Sequence, residues 1–369
     1  MSEFKRLISL DAFRGFTIAA MIMVNNPGSW KYVYPPLEHA SWNGLTPTDL
    51  IFPFFIFIVG VSITLAYTKR LNSGIDKGPM YQKILFRTLK IFAVGILLWL
   101  FPKFNFETVR IAGVLQRIAI VFMVGAFLFL NTKWKTQAIV AGILLVGYWL
   151  IMVLIPTPGY GKVMLEPGAN IAAWFDSKFL PGYLYQKTWD PEGILSTFPA
   201  IASGITGMLA GHLILNKMTQ ERKVIYLFSL SFLAFIVGFM WSYIFPLNKN
   251  IWTSSFVLVT SGLAGMTLAV SIFFVDILGR TRFTKPGIIF GSNAITAYVL
   301  ADILTLPFYR WNIGGASLNG HWMNMFSNFG WSMKFGSFTF AVIFICLNFI
   351  PVWVLYKKKI FIKLSLLND

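Results

Sequence analysis

Charge is scarce in this sequence: only 12% of its 369 residues are Asp, Glu, Lys or Arg, about half the share a soluble domain of this size carries. Acidic side chains are the scarcer sign, 14 against 31 Lys and Arg. Cysteine is nearly absent, and the single Cys346 excludes a disulfide framework, a cysteine metal cluster and an intramolecular redox pair. Histidine occurs only at 39, 212 and 321. There is no P-loop, no strand–turn–helix glycine fingerprint, no HExxH and no GxSxG. Ligand pairs at metal-binding spacing are missing locally, so no metal is expected. No fixed-period repeat or low-complexity stretch divides the chain.

Apolar residues fill the space that charge leaves. They make up 56% of the chain, mean hydropathy is +0.68, and runs of bilayer length recur throughout. The reading is an all-α polytopic membrane protein with about ten transmembrane helices, near 8–26, 50–68, 84–101, 111–130, 136–155, 193–214, 223–245, 253–275, 286–308 and 335–356. Residues 1–369 read as a single transmembrane domain with one long loop at about 156–192. The 17% aromatic content, with 13 Trp, suits interfacial belts.

A net charge of +17 raises nucleic acid as a partner. Its distribution argues for the lipid bilayer instead, because Lys and Arg fall in short loops between apolar runs. An even helix count puts both termini on one side. If that side is the cytoplasm, 21 of the 31 basic residues lie inside, while acidic residues lean outward, 8 against 6. Both termini are therefore expected in the cytoplasm. Lys5 and Arg6 before an apolar stretch resemble a signal peptide, but no small-residue cleavage site follows Val24, so a retained first helix is expected. Residues 27–49 and the 156–192 loop are then extracytoplasmic. That loop, with Tyr160, Trp174, Tyr183, Tyr185 and Trp189, reads either as a lid or as a connector rich in interfacial aromatics.

The polar groups concentrate in His39-Ala40-Ser41-Trp42-Asn43-Gly44-Leu45-Thr46-Pro47-Thr48-Asp49, which runs straight into the second apolar run. Such a cluster at a membrane helix start is costly unless it lines a cavity. His39 is a candidate general base or acyl-accepting nucleophile. Asp49 is either a helix cap or the group that orients the imidazole. Asn25 ends the first helix on the same side, where an amide can donate to a developing oxyanion. Trp42 and Asn43 are candidate acceptor-binding residues. Gln116 and Arg117 lie inside the fourth helix, Arg117 about 10 Å in from Arg110. Snorkelling accounts for Arg110 but not for Arg117, which reads as an anion or carbonyl anchor, or as the ion-pair partner of Asp49 or Asp302. Asn293 and Asp302 place polar groups along the ninth helix from its two ends. Asp190-Pro191-Glu192-Gly193 reads as the cap of the sixth helix, after which Ser196, Thr197 and Ser203 face neighbouring helices or the same cavity.

These stretches resemble a known family. Leu10-Asp11-Ala12-Phe13-Arg14-Gly15, Met23-Val24-Asn25, the His39–Thr46 segment with Asp49-Leu50-Ile51-Phe52-Pro53, Gly113-Val114-Leu115-Gln116-Arg117-Ile118, Asp190–Thr197, Trp252–Ser255 and Asn293-Ala294 are similar to the heparan-α-glucosaminide N-acetyltransferase family. The resemblance spans most of the chain. It implies a transmembrane acyltransferase of a bacterial inner membrane. Such an enzyme moves acetyl from cytoplasmic acetyl-CoA to a glucosamine-type amino sugar on the far side. It carries the family's active-site histidine onto His39 and asparagine onto Asn25, and it places Asp49, Gln116, Arg117 and Asn293 in shared motifs, the last three toward the acetyl-CoA pocket. Asp302 joins Trp42 and Asn43 on the acceptor side. Arg87, Lys90, Arg280, Arg282 and Lys285 are candidates for the CoA phosphates or serve as topology charges. Exposed aromatic helices allow a homodimer. A transporter or flippase of a sugar or lipid-linked intermediate, without acyl transfer, is the competing reading.

Overall fold

The computed structural model describes residues 7–362. Its α-helices are α1 Ile8–Asn25, α2 Ile51–Asn72, α3 Lys77–Leu100, α4 Val114–Asn131, α5 Trp134–Leu154, α6 Ile171–Phe179, α7 Ile194–Leu215, α8 Gln220–Trp241, α9 Ser254–Ser271, α10 Lys285–Ser292, α11 Ala294–Thr305, α12 Leu318–Asn328 and α13 Met333–Lys357. Among the described residues, extended pairing is confined to the isolated bridges Arg110–Gly182 and Ile313–Ala316.

Each expected apolar run falls on helix, in keeping with an all-α polytopic membrane protein. Eight helices are long and apolar enough to cross a membrane, and Lys285–Ser292 with Ala294–Arg310, bent by 83°, make a ninth candidate. The remaining expected span lies on α3. That helix has 24 residues, but every membrane-length window of it includes Lys83, Arg87 and Lys90. Two short helices, α6 and α12, were not anticipated. The expectations that rest on Lys5, Arg6 and Lys363 fall outside the described residues.

The chain divides into two compact units. The first takes the described residues through Ala40, Thr46–Phe55 and those from Ser271 onward; the second takes Ser41–Leu45 and Ile56–Val270. The opening turns of α2 therefore belong to the first unit and the rest of that helix to the second.

In the first unit α1 lies against α10 with backbone close to backbone at their glycines. A Cβ on Gly15 would sit 1.7 Å from the Gly287 carbonyl oxygen, and one on Gly291 would sit 2.2 Å from that of Asp11. Lipid tails supply no hydrophobic drive between helices, so this backbone approach is how membrane helices gain dispersion contact. Asp276, on the π-helical continuation of α9 at Ile272–Ile277, accepts the α1 N–H groups of Ile8 at 3.0 Å and Ser9 at 3.3 Å. It thereby satisfies donors that a helix start leaves orphaned. At the other end of α1, the Gly28 N–H donates to the Ser337 carbonyl at 3.0 Å and Tyr309 Oη donates to the Pro27 carbonyl at 3.0 Å. Those bonds hold the chain just beyond Asn25.

The second unit repeats the device between α2 and α7. A Cβ on Gly60 would lie 1.9 Å from the Gly204 carbonyl oxygen, and one on Gly207 would lie 2.0 Å from that of Phe57. Thr64 Oγ1 donates to the Met208 carbonyl at 3.0 Å. α5 and α9 are joined by Ser254 Oγ, which donates to the Leu145 carbonyl at 2.7 Å. Hydroxyls of this kind keep their proton satisfied inside an apolar bundle.

Candidate functional site

In the first unit, His39 and Asp49 meet across ten residues. The chain leaves α1, makes a 3-10 turn at Pro35–Leu37 and runs extended through Glu38. A second 3-10 turn, Pro47–Leu50, leads into α2 and opens with a capping box between Thr46 and Asp49. His39 Nδ1 stands 2.7 Å from Asp49 Oδ1. Asp49 Oδ2 accepts the backbone N–H groups of Ala40 and Thr46, each at 3.1 Å. The carboxyl is 1% exposed while the imidazole is 47% exposed, so a buried anchor presents a reachable ring. A carboxylate that already takes two N–H donors is an acceptor toward His39 as well. Nδ1 is therefore the nitrogen that donates to Asp49, and any base function of the ring falls to Nε2. The residue that caps the turn before α2 is thus also the one in contact with the imidazole.

The other expected residues of this unit lie apart along its helices. Asn25 is exposed at the last position of α1, while its neighbour Asn26 is buried and returns its Nδ2 to the Ile22 carbonyl at 2.8 Å. Asn293 sits at the break between α10 and α11. Its Nδ2 donates to the Ile360 carbonyl at 3.1 Å and its Oδ1 accepts the Ile362 N–H at 2.9 Å, so both ends of the amide are engaged by the segment after α13. Asp302 is half-buried on α11.

In the second unit Arg117 is fully buried. Its Nη2 donates to the Gly193 carbonyl at 3.2 Å and the Ser196 hydroxyl at 2.5 Å, and its guanidinium lies 5.1 Å from the Trp252 ring centroid. Its partners are thus a carbonyl, a hydroxyl and an indole face, where an ion pair with Asp49 or Asp302 was one expectation. Nε and Nη1 find no hydrogen-bond partner among the described residues. That is a costly state for buried donors, and it suits a ligand bearing acceptors. Gln116 is buried beside it, its Oε1 only 2.4 Å from where a Cβ on Gly95 would be. Trp42 donates Nε1 to the Leu165 carbonyl at 3.0 Å and meets Trp189 edge-on at 5.3 Å. Asn43 Oδ1 accepts from Asn248 Nδ2 at 3.0 Å.

Arg110 does not snorkel, contrary to the sequence expectation. It is buried, with Nε 2.8 Å and Nη2 2.6 Å from the two oxygens of Asp190, and it also pairs with Glu192. Tyr185 covers its guanidinium at 4.6 Å. Burial opposes both charges, yet the paired hydrogen bonds hold the Asp190 carboxyl below its ordinary range and the Arg110 guanidinium above its own. Nor does Asp190 cap α7. That role falls to Asp176 of α6, whose Oδ1 accepts the Ile194 N–H at 2.8 Å. The cap residue Gly193 is a glycine because a Cβ there would meet the Asp176 carboxylate at 1.8 Å. The loop of 156–192 is thus tied down by Trp42, Arg110 and the α7 helix start.

Asp176 carries a pH signature. Burial, with neighbouring Asp190 adding to it against the Ile194 N–H, pushes its carboxyl up from 3.8 to about 7. The folded protein thus holds this proton more tightly than the unfolded chain. That stabilisation is complete below pH 3.8 and is lost as pH rises to about 7. Asp176→Asn, which keeps an acceptor for Ile194 and never ionises, is expected to stabilise the protein at pH 8 by on the order of 2–4 kcal/mol. The gain should vanish near pH 4. Thermal unfolding of both proteins at the two pH values checks this, and an equal difference at both would contradict it.

Helices long and apolar enough to cross a membrane, with an imidazole oriented just ahead of α2 and a buried, half-satisfied guanidinium on α4, define a polytopic helical membrane protein. The family described as heparan-alpha-glucosaminide N-acetyltransferase, catalytic, matches residues 6–236, and the chain belongs to that family. Heparan-alpha-glucosaminide N-acetyltransferase of Homo sapiens is 29% identical over 426 aligned residues, which cover 97% of this chain and 60% of that protein. The protein of the same name from Mus musculus is 28% identical over 430, covering 98% and 61%. The chain thus spans about three fifths of the length of these relatives.

The sequence missed Thr46 and Thr48 as more than members of a cluster, and missed Asp176 altogether. Thr46 sits three residues before an acidic residue at an apolar run, which is the visible signature of a capping box. Asp176 leaves no comparable signal, because its partner is a backbone N–H 18 residues away.

Proposed function

We propose that this chain is a transmembrane acetyltransferase, moving an acetyl group from cytoplasmic acetyl-CoA to the amine of a glucosamine-type sugar on the extracytoplasmic side of a bacterial inner membrane. The observation that carries the reading is the His39–Asp49 pair, with Nδ1 held at 2.7 Å by a buried carboxyl and the ring 47% exposed. The amine nitrogen attacks the thioester carbonyl carbon. His39 Nε2 takes the amine proton as the C–N bond forms, and returns it to the departing CoA sulfur as the C–S bond breaks. Asn25 or a neighbouring donor stabilises the oxyanion between these steps. Transfer through an acetyl-imidazole on His39 balances equally, with the amine attacking in a second step.

Gln116 and Arg117 are the residues we assign to the donor pocket, on the strength of the unmatched Nε and Nη1 of Arg117. Asn293 fits that task less well, since its amide would have to release Ile360 or Ile362 first. Trp42, Asn43 and Asp302 are assigned to the acceptor side. The test is acetyl transfer by detergent-purified protein supplied with acetyl-CoA and free glucosamine. N-acetylglucosamine in the products supports the reading. Bound acetyl-CoA with no product would restrict the error to the acceptor, and absence of acetyl-CoA binding would overturn the reading in favour of transport.

A further inference from the structure

We propose that Thr46 is a positioning residue for this acetyl transfer, holding the Asp49 carboxylate and the backbone ahead of His39 in one fixed relation. The inference rests on the acetyltransferase reading of His39. A threonine at a helix cap needs only to accept an N–H from the first turn, and the capping box shows that Thr46 does so. Its hydroxyl does more. Oγ1 lies 2.7 Å from the Glu38 carbonyl oxygen and 3.0 Å from Asp49 Oδ2. One hydroxyl proton serves one of these acceptors at a time, and each choice acts on His39. Given to Glu38, it pins the residue before the histidine; given to Asp49, it adds a third donor to the oxygen that does not face the ring.

Thr48 extends the pattern from the same turn, donating its Oγ1 to the Pro36 carbonyl at 3.1 Å. Asp49 closes it, through the Ala40 N–H at 3.1 Å and His39 Nδ1 at 2.7 Å. The side chains of Thr46, Thr48 and Asp49 are therefore all directed at the segment 36–40. Capping alone requires none of these reaches. Placement of a general base to within a few tenths of an ångström does require them.

The sign of the electrostatic effect follows from the donors on Asp49. With the Thr46 hydroxyl removed, the carboxylate has fewer donors and attracts an imidazolium proton more strongly. Thr46→Val is expected to lower kcat about tenfold, the scale of one lost hydrogen bond in a positioned pair. It should also move the acid limb of kcat/KM to higher pH and leave KM for acetyl-CoA within about twofold, with Thr46→Ser restoring both kcat and the limb. The measurement is the pH profile of acetyl transfer for wild type, both Thr46 variants and His39→Ala, with thermal unfolding of each. A Thr46→Val protein that only melts lower, with wild-type kcat and acid limb, makes Thr46 a plain helix cap and overturns the proposal, while an inactive His39→Ala leaves the underlying reading standing. If His39→Ala turns over as wild type does, that reading falls and this proposal with it.

Discussion

His39→Ala is expected to lower acetyl transfer by about 10²- to 10⁴-fold, the range that a positioned general base supplies, while acetyl-CoA binding stays at the wild-type level. The imidazole is half-exposed and is held by Asp49 Oδ1 at 2.7 Å, so its removal opens no core cavity and the variant should fold. Asp49→Asn sharpens the expectation. The Ala40 and Thr46 N–H groups demand an acceptor at the Oδ2 position, so the new amide must turn its oxygen toward them and its NH₂ toward His39. An NH₂ facing Nδ1 forces the ring proton onto Nε2, the nitrogen that has to be free. Turnover should then fall by a comparable factor, in kcat rather than KM. Rates for the three proteins at saturating acetyl-CoA decide the matter, and an active His39→Ala would remove the histidine from the chemistry.

Arg110→Met is expected to cost about 3–5 kcal/mol of stability, because it strands a buried carboxylate. The Asp190 side chain is 0% exposed, and its charge is held by both nitrogens of the Arg110 fork. Methionine restores volume under Tyr185 but not the donors, so the loss is electrostatic rather than a cavity. Combining Arg110→Met with Asp190→Asn removes the stranded charge and should recover part of the loss. Melting temperatures of the single and double variants in one detergent make the comparison. A single variant that melts with the wild type would show the pair to be energetically idle, as many exposed ion pairs are.

How far the sequence could be read follows from how far apart the partners lie. His39 and Asp49 are ten residues apart and both belong to a cluster that apolar surroundings make conspicuous, so the pair was legible. Arg110 was misread because its partners stand 80 and 82 residues on, and a lone arginine near a helix end has the appearance of a snorkelling cation. Asp190 was misread for the complementary reason, since an acidic residue before a helix has the look of a cap. Helix existence was legible from bilayer-length apolar runs, but the 83° bend at Asn293 was not. Its amide is stitched to backbone 67 and 69 residues away, and no local periodicity records such a bond. The tenth span could not be settled by composition, because α3 combines membrane length with three interior basic residues.

The first unit is assembled from an early and a late stretch of the sequence, and this has a consequence in time. The α1 N–H groups of Ile8 and Ser9 wait for Asp276, which is made 268 residues after the first of them. At roughly 5–20 residues per second, that is a delay of about 15 to 50 seconds. Through that interval the glycine face of α1 has no α10 to lie against, while residues 56–270 of the second unit have already been synthesised in one continuous run. The His39–Asp49 pair, by contrast, needs only ten residues and can form almost as soon as its turn emerges. During biosynthesis the His39–Asp49 contact thus precedes the packing of α1 on α10, and α1 is the segment most in need of a companion in the membrane until the last third of the chain arrives.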